Sequence, residues 1–246
     1  MHAQNQDLNA HGLLSKHRLE ALTDGVYAVA LTILVLEMKV PEALHGAANN
    51  AALLEALWEI FPKFLSWFIS FFVLAIFWLA HHRLFHYAPC INVRLVFLNF
   101  ISLFFASMIP FSSALIGQHS SLALGHTVYA GNMIMLALLA WLQLLAVRDL
   151  NTQLGSSLPP GFFAASRFRL MGLVACSLCA IGIAFVAPIF SSNAFLGMII
   201  FGRLSRRMQT RAKQEFEREV EHAAEVHKVE VKQSTSVTPA LSEPAQ

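Results

Sequence analysis

The chain has 246 residues, of which 56% are hydrophobic and only 13% charged, and its formal net charge is +2. Soluble domains carry about 25% charged residues, and a chain of this length has too much surface to bury so many apolar side chains in one core. The composition therefore excludes a soluble enzyme, a nucleic-acid-binding module and a disordered chain. It predicts an all-α integral membrane protein.

The first apolar stretch, Leu19 to Val40, has a short uncharged core that lies between Asp24 and Glu37. Read alone, this core suits a buried helix or a re-entrant segment, because a membrane span needs about 20 apolar residues. A helix with acidic residues at both ends belongs inside a protein or against water, since lipid solvates charge poorly. We predict that this stretch is the first of the transmembrane helices.

The other apolar stretches are bounded by basic residues and predict five more spans. Phe64–His82 has the length of one helix. Leu95–Val147 is too long for one helix and fits two, with a turn at Gly117–Gly125. Leu170–Gly202 also fits two, broken near Pro188–Asn193, and the second of these is short. The sequence therefore predicts six transmembrane helices.

The distribution of basic residues agrees with this count. Six spans place both termini on one side, and that side then holds all of the 17 Lys and Arg residues except Lys39 and Lys63. The positive-inside rule makes it the cytoplasmic side of a multi-pass protein in the cell (inner) membrane. We predict a cytoplasmic N-terminal segment (1–17), a six-helix domain (18–205) and a charged, partly disordered cytoplasmic tail (206–246).

Polar and amphipathic side chains gather at the predicted cytoplasmic ends of the first three helices. They are Arg18, Thr23, Asp24, Trp78, His81, His82 and Asn99. Ionisable groups are costly to bury in a membrane, so these residues either tie three helices together or take part directly in transport. A metal or hydrolase site is disfavoured, because adjacent histidines on a helix point about 100° apart and no HExxH or nucleophile motif accompanies them. We expect no enzymatic activity and no cofactor.

A second candidate site lies on one face of helix 1. Val29, Ile33 and Leu36 follow the i, i+4, i+7 spacing of a helical face, and Thr32 lies beside them. The spacing alone predicts ordinary core residues. The acidic residues at both ends of the helix favour a position in the interior of an assembly or against water.

The motif Arg18-x-x-x-Leu22-Thr23-Asp24-Gly25, followed by an apolar run to Glu37 and Pro41, resembles the RxxxFSD signature of the transmembrane protein 175 potassium channel family. Leu22 and Thr23 replace the Phe and Ser of that signature, and Thr keeps the hydroxyl. Further similarities follow in the same order along the chain, at Trp78, His81–Phe85, Leu98–Asn99 and Met108–Phe111. The resemblance covers about residues 14–205, and the single six-span repeat is similar to the bacterial members.

The resemblance implies a homotetramer in the lipid bilayer whose central pore is lined by helix 1. The permeant ions are monovalent cations, K⁺ first, through a leak-type channel that in some members also passes protons. The hydrophobic constriction falls on Val29, Ile33 and Leu36 and the selectivity position on Thr32, in place of the TVGYG carbonyl filter, which this sequence lacks. The seven residues at the ends of the first three helices become a structural network at the cytoplasmic mouth.

The alternative function is a secondary transporter, or a non-conducting membrane scaffold, built on the same helical bundle. Many transporters carry internal repeats and interrupted helices. Residues 19–117 and 126–205 show no convincing repeat, which favours the channel.

Overall fold

The computed structural model describes residues 15–36, 38 and 49–236, and this part of the chain is helical with no strand. The elements in chain order are α1 (Lys16–Leu36), α2 (Asn50–His86), α3 (Val93–Ser107), α4 (Ile109–Gln118), α5 (Ala123–Gln153), α6 (Phe162–Val186), a 3₁₀ segment (Pro188–Leu196) and α7 (Gly197–Ser236). Five stretches are long and apolar enough to cross a membrane: Lys16–Leu36, Lys63–His86, Val93–Gln118, Ala123–Gln153 and Phe162–Val186. The all-α membrane fold is confirmed, whereas Glu37 and Pro41 of the motif lie outside the described residues.

Local sequence signals set the helix ends in the first half of the bundle. The side chains of Asn49 and Asn92 accept hydrogen bonds from backbone N–H groups in the first turns of α2 and α3, at 2.9 and 2.8 Å. Pro110 stands in the first turn of α4, where a missing N–H costs nothing, and α3 and α4, separated only by Met108, together form one span. The chain turns between Gln118 and Ala123, inside the predicted turn region.

The sixth predicted span is not one long α-helix. The 3₁₀ segment and the start of α7 run antiparallel to α6: Ser191 Oγ donates to the Ala180 carbonyl at 2.7 Å, and Phe201 lies against Gly172. A 3₁₀ helix rises about 2.0 Å per residue against about 1.5 Å for an α-helix, so the path from Pro188 to Gly202 covers roughly 27 Å. The length of this stretch is thus close to the thickness of the hydrocarbon core, about 30 Å. A sixth membrane crossing along this stretch stays a prediction.

The contact between α6 and α7 gives a stability prediction. A Cβ at Gly172 would lie 2.9 Å from Phe201 Cβ and closer still to its ring. We therefore expect Gly172→Ala to lower the free energy of unfolding by about 1–3 kcal/mol through overpacking. Gly182→Ala on the same helix, where a Cβ meets nothing within 4 Å, should raise it by about 0.5–1 kcal/mol because Ala is the better helix former. Thermal denaturation of the two purified variants checks this, and equal effects would contradict the packing.

One end of the bundle collects the basic residues. Lys16 Nζ donates to the Ala88 carbonyl at 2.9 Å, Asn151 Nδ2 donates to the Tyr87 carbonyl at 3.0 Å, and the Tyr87 ring packs on Phe162. These contacts bring together the start of α1, the ends of α2 and α5, and the start of α6. We call this the basic end, because the described Lys and Arg residues other than Lys63 lie at it or continue from it along α7.

The predicted domain boundary after residue 205 falls inside α7, which is continuous across it. Ser205 Oγ donates to the Ala165 carbonyl at 2.9 Å, and further along α7 the Ala212 side chain lies beside Gly161. The start of the predicted tail therefore packs on α6, and α7 reaches Ser236. Residues 1–14 and 237–246 lie outside the described part of the chain, so the domain limits there stay predictions.

Candidate functional site

A buried chain of hydrogen bonds joins the first three helices near the basic end. Asn99 on α3 is fully buried; its Nδ2 donates to Thr23 Oγ1 on α1 at 2.9 Å, and its Oδ1 lies 2.7 Å from His81 Nε2 on α2. The Thr23 hydroxyl in turn donates to the Leu19 carbonyl at 2.8 Å. An Asn oxygen can only accept, so the bond to His81 requires the proton on Nε2. Three helices are thus fixed by one set of matched donors and acceptors.

Aromatic packing encloses this chain. The His81 ring stacks on Phe85 with the ring centroids 4.0 Å apart, and Tyr27, itself buried, approaches from α1 with its centroid 6.4 Å away. Polar groups buried in this way are costly to leave unpaired, which makes the hydrogen-bonded arrangement specific. Its consequence is to fix the position and rotation of α1 against α2 and α3.

A second, more exposed contact lies beside the first. Trp78 Nε1 donates to Asp24 Oδ1 at 2.7 Å, and the Trp78 ring stacks on His82 with centroids 5.8 Å apart. The two histidines therefore diverge, since His81 faces the core whereas His82 is exposed. Arg18 is exposed and has no ion pair with a carboxylate in the described residues.

The predicted constriction residues lie on the face of α1 that points away from its own bundle. The side chains of Val29, Ile33 and Leu36 are 56%, 38% and 72% exposed. Thr32 is exposed as well, and its hydroxyl is satisfied within the helix by the carbonyls of Ala28 and Val29 at 3.1 and 2.8 Å. The core role suggested by spacing alone does not hold within this subunit, because the other face of α1 packs against α2, α3 and α4.

Two polar contacts inside the bundle were not predicted from the sequence. Gln143 on α5 is buried and donates through Nε2 to the Leu98 carbonyl at 3.2 Å, beside Asn99. In the opposite half of the bundle, Ser70 contacts Ser113 Oγ at 2.8 Å and the Tyr129 hydroxyl at 3.1 Å. An uncharged polar residue inside an apolar span was the available signal in each case, but it does not name a partner.

Residues 18–110 match the profile of a family described as the endosomal/lysosomal potassium channel TMEM175. Over these residues, the chain is similar to the TMEM175 family. The segment contains α1 from Arg18 onward, α2, α3, the first two residues of α4 and all seven network residues. The family inferred from the motif is thus confirmed, and the protein is a membrane protein.

Curated relatives and a solved structure resemble further parts of the chain. A potassium channel of Chamaesiphon minutus is 32% identical over 124 residues, 49% of this chain and 60% of that protein. The chicken endosomal/lysosomal proton channel TMEM175 is 38% identical over 109 residues, 43% of this chain and 22% of that protein. The crystal structure of a lysosomal potassium-selective channel TMEM175 homologue from Chamaesiphon minutus superposes with a TM-score of 0.64 at 25% identity, covering 77% of this chain and 97% of the other.

The sequence matches and the structural match differ in extent. The chain spans 48% to 60% of the length of the bacterial potassium channels that it matches in sequence. The structural superposition covers 77% of the chain, which is more than the part that the family profile matches, residues 18–110. The shared fold therefore continues beyond the three helices that carry the motif.

Proposed function

We propose that this protein is a potassium-permeable, leak-type cation channel in which four chains surround a pore lined by α1. One observation carries the proposal. The buried face of α1 is fixed by the Thr23–Asn99–His81 hydrogen bonds, while the opposite face, with Val29 and Leu36, is exposed. The exposed Asp24 carboxylate on the same helix is costly to place in lipid, so we expect α1 to stand against protein or water rather than at the lipid-facing surface.

Symmetry resolves this mismatch. Closed homo-oligomers are the usual assemblies, and around a central axis each copy presents the same face inward. Four α1 helices would cover their apolar flanks with one another and leave the centre open to water and ions. This arrangement agrees with the homotetramer implied by the motif. We further propose that the protein lies in the inner membrane, with the basic end and both termini on the cytoplasmic side, as the positive-inside rule predicts.

The constriction supplies selectivity through hydration. Four copies of an apolar ring narrow the pore and tend to dewet it, so a cation passes only when the helices part slightly. K⁺ holds its water less tightly than Na⁺ and sheds it at lower cost. Thr32 lies beside the ring, and the four Thr32 hydroxyls of the tetramer would offer oxygens that replace water around the ion. The Thr23–Asn99–His81 hydrogen bonds hold α1 in place without contacting the ion.

Ion flux in proteoliposomes is the direct test. With an outward K⁺ gradient, the purified protein should pass K⁺ without a coupled counter-ion, in proportion to the gradient, and Na⁺ more slowly. Vertebrate relatives are named proton channels, so a pH-sensitive dye in the same vesicles measures whether H⁺ uses the pathway. Strict dependence of K⁺ movement on a second ion would indicate the transporter, and no flux would indicate the scaffold.

Disulfide crosslinking tests the proposed assembly around α1. In a background without the native cysteines, Leu36→Cys on the exposed face should form disulfides between subunits. Leu34→Cys, on the same helix but 1% exposed within its own bundle, should not. A protein that conducts as a monomer would contradict the pore.

A further inference from the structure

A cleft separates α2 from α6 and α7 at the basic end of the bundle. At the other end, α2 packs on the 3₁₀ segment, but in the described residues it has at most a marginal contact with α6 or α7. The helices therefore diverge towards the basic end and leave a cavity of about 310 Å³. That volume is within the range of ligand-binding sites.

The walls of the cleft are apolar at the depth of the membrane spans. They are formed mainly by side chains of α2, α6 and α7, among them Ile76, Leu79, Leu173, Met198, Ile199 and Phe201, and α3 and α5 complete the lining with Ser102, Ala140, Gln143 and Leu144. Tyr27 and His81 also line the cavity, so it reaches the residues that hold α1 in place. Side chains of this kind suit a hydrocarbon chain.

Three arginines line the same cavity, one from each helix around it. They are Arg83 on α2, Arg169 on α6 and Arg206 on α7, and the first and last lie close enough to Arg169 for their charges to repel it. Among the described residues, the ion pairs are Arg148–Asp149 and Lys213–Glu217, so no carboxylate neutralises the three. Converging arginines without an acidic partner favour an anion, and phosphate matches their geometry well.

We propose that this cleft binds one anionic phospholipid, with the phosphate on Arg83, Arg169 and Arg206 and an acyl chain between α2 and the α6–α7 pair. A free phosphate would match only the arginines, and a neighbouring helix would match only the walls. A phospholipid carries both an anionic phosphate and an acyl chain. Its phosphate would lie at the membrane surface, where basic residues between transmembrane helices meet headgroups, and its acyl chain would lie deeper, against the apolar walls. This inference goes beyond the proposed function and does not depend on which ion passes.

The bound lipid would also brace the helix that holds α1. It spans the gap between α2 and α6–α7, and α2 carries Trp78 and His81, the two side chains that bond to Asp24 and Asn99. Occupancy of the cleft would therefore stabilise the network and make the assembly sensitive to the anionic lipid content of the membrane.

Native mass spectrometry of the delipidated full-length protein, titrated with phosphatidylglycerol or phosphatidylcholine of identical acyl chains, tests the site. Phosphatidylglycerol should bind at least about tenfold more tightly than phosphatidylcholine. Arg169→Gln or Arg206→Gln should each weaken the binding of phosphatidylglycerol roughly tenfold, as expected for the loss of a charge-assisted hydrogen bond. Arg207→Gln is the matched control, since it removes the same charge from the next position of α7 but does not line the cleft.

A second pair of variants tests the apolar part without changing charge. Gly202 lines the cleft and a Cβ there meets nothing within 4 Å, so Gly202→Phe should fill the cavity and abolish the preference for phosphatidylglycerol while the protein stays folded. Gly182→Phe adds the same ring at an open position of α6 outside the cavity and should leave binding unchanged.

Four results would overturn the proposal. Equal binding of the two lipids would remove the role of charge, and an equal loss in Arg207→Gln would reduce it to diffuse surface attraction. Inorganic phosphate that raises the melting temperature as much as phosphatidylglycerol would make this a simple anion site. In a background without the native cysteines, disulfide formation between subunits through Gly202→Cys would show that this face of α7 lies against a neighbouring chain and not against lipid.

Discussion

Ile33→Asn should give a folded channel that passes several-fold more current than the parent protein and no longer distinguishes K⁺ from Na⁺. Ile33 belongs to the exposed face of α1, with its side chain 38% exposed in the single chain. In the proposed tetramer, four Asn side chains would wet the narrowest stretch and remove the dewetting barrier. The reversal potential under bi-ionic K⁺/Na⁺ conditions measures the selectivity, and a thermal melt of the same sample measures stability.

The neighbouring position provides the matched control. Leu34 is 1% exposed and packs inside the bundle, so Leu34→Asn buries an unsatisfied amide where a leucine was. It should lower the free energy of unfolding by about 2–5 kcal/mol, the range for disrupted core positions. If both variants were destabilised alike while Ile33→Asn left selectivity untouched, Ile33 would be a packing residue and the pore would have to be lined by another helix.

Asn99→Leu should destabilise the subunit and the assembly more than any other single change in the polar network. Asn99 is fully buried and connects α1 with α2 through Thr23 and His81, so Leu removes two hydrogen bonds and leaves the His81 N–H without an acceptor. Buried unsatisfied groups cost about 1–3 kcal/mol each, and we expect a loss of roughly 2–4 kcal/mol. Thermal denaturation and the yield of assembled protein on size exclusion report the effect.

A double-mutant cycle assigns that loss to the proposed contact. His81→Phe keeps an aromatic ring against Phe85 but removes the ring nitrogens. Combined with Asn99→Leu it replaces both polar partners by apolar ones, so the double variant should be less destabilised than the sum of the singles. The K⁺/Na⁺ reversal potential should stay near that of the parent protein. Normal stability with altered selectivity would instead place these side chains in the ion pathway.

The sequence by itself determined the membrane class, five of the six predicted spans and the family resemblance. Each follows from local properties: the length of uncharged stretches, the side on which basic residues fall, and the spacing within the Arg18–Gly25 motif. Hydropathy and charge act residue by residue against the membrane, so they can be read without knowing which helices touch. For the same reason, the sequence identified the seven polar candidates as a set.

Only the tertiary structure decided how these parts meet. The bonds from Thr23 to Asn99 and from Asp24 to Trp78 join residues 76 and 54 positions apart, and their existence depends on helix packing that no local pattern encodes. The exposed side of α1 likewise could not be read from the spacing of Val29 and Leu36, which is the same for a core face and a pore face. Packing also set the 3₁₀ return along α6 and the cleft beside α2, because both depend on how distant helices share space.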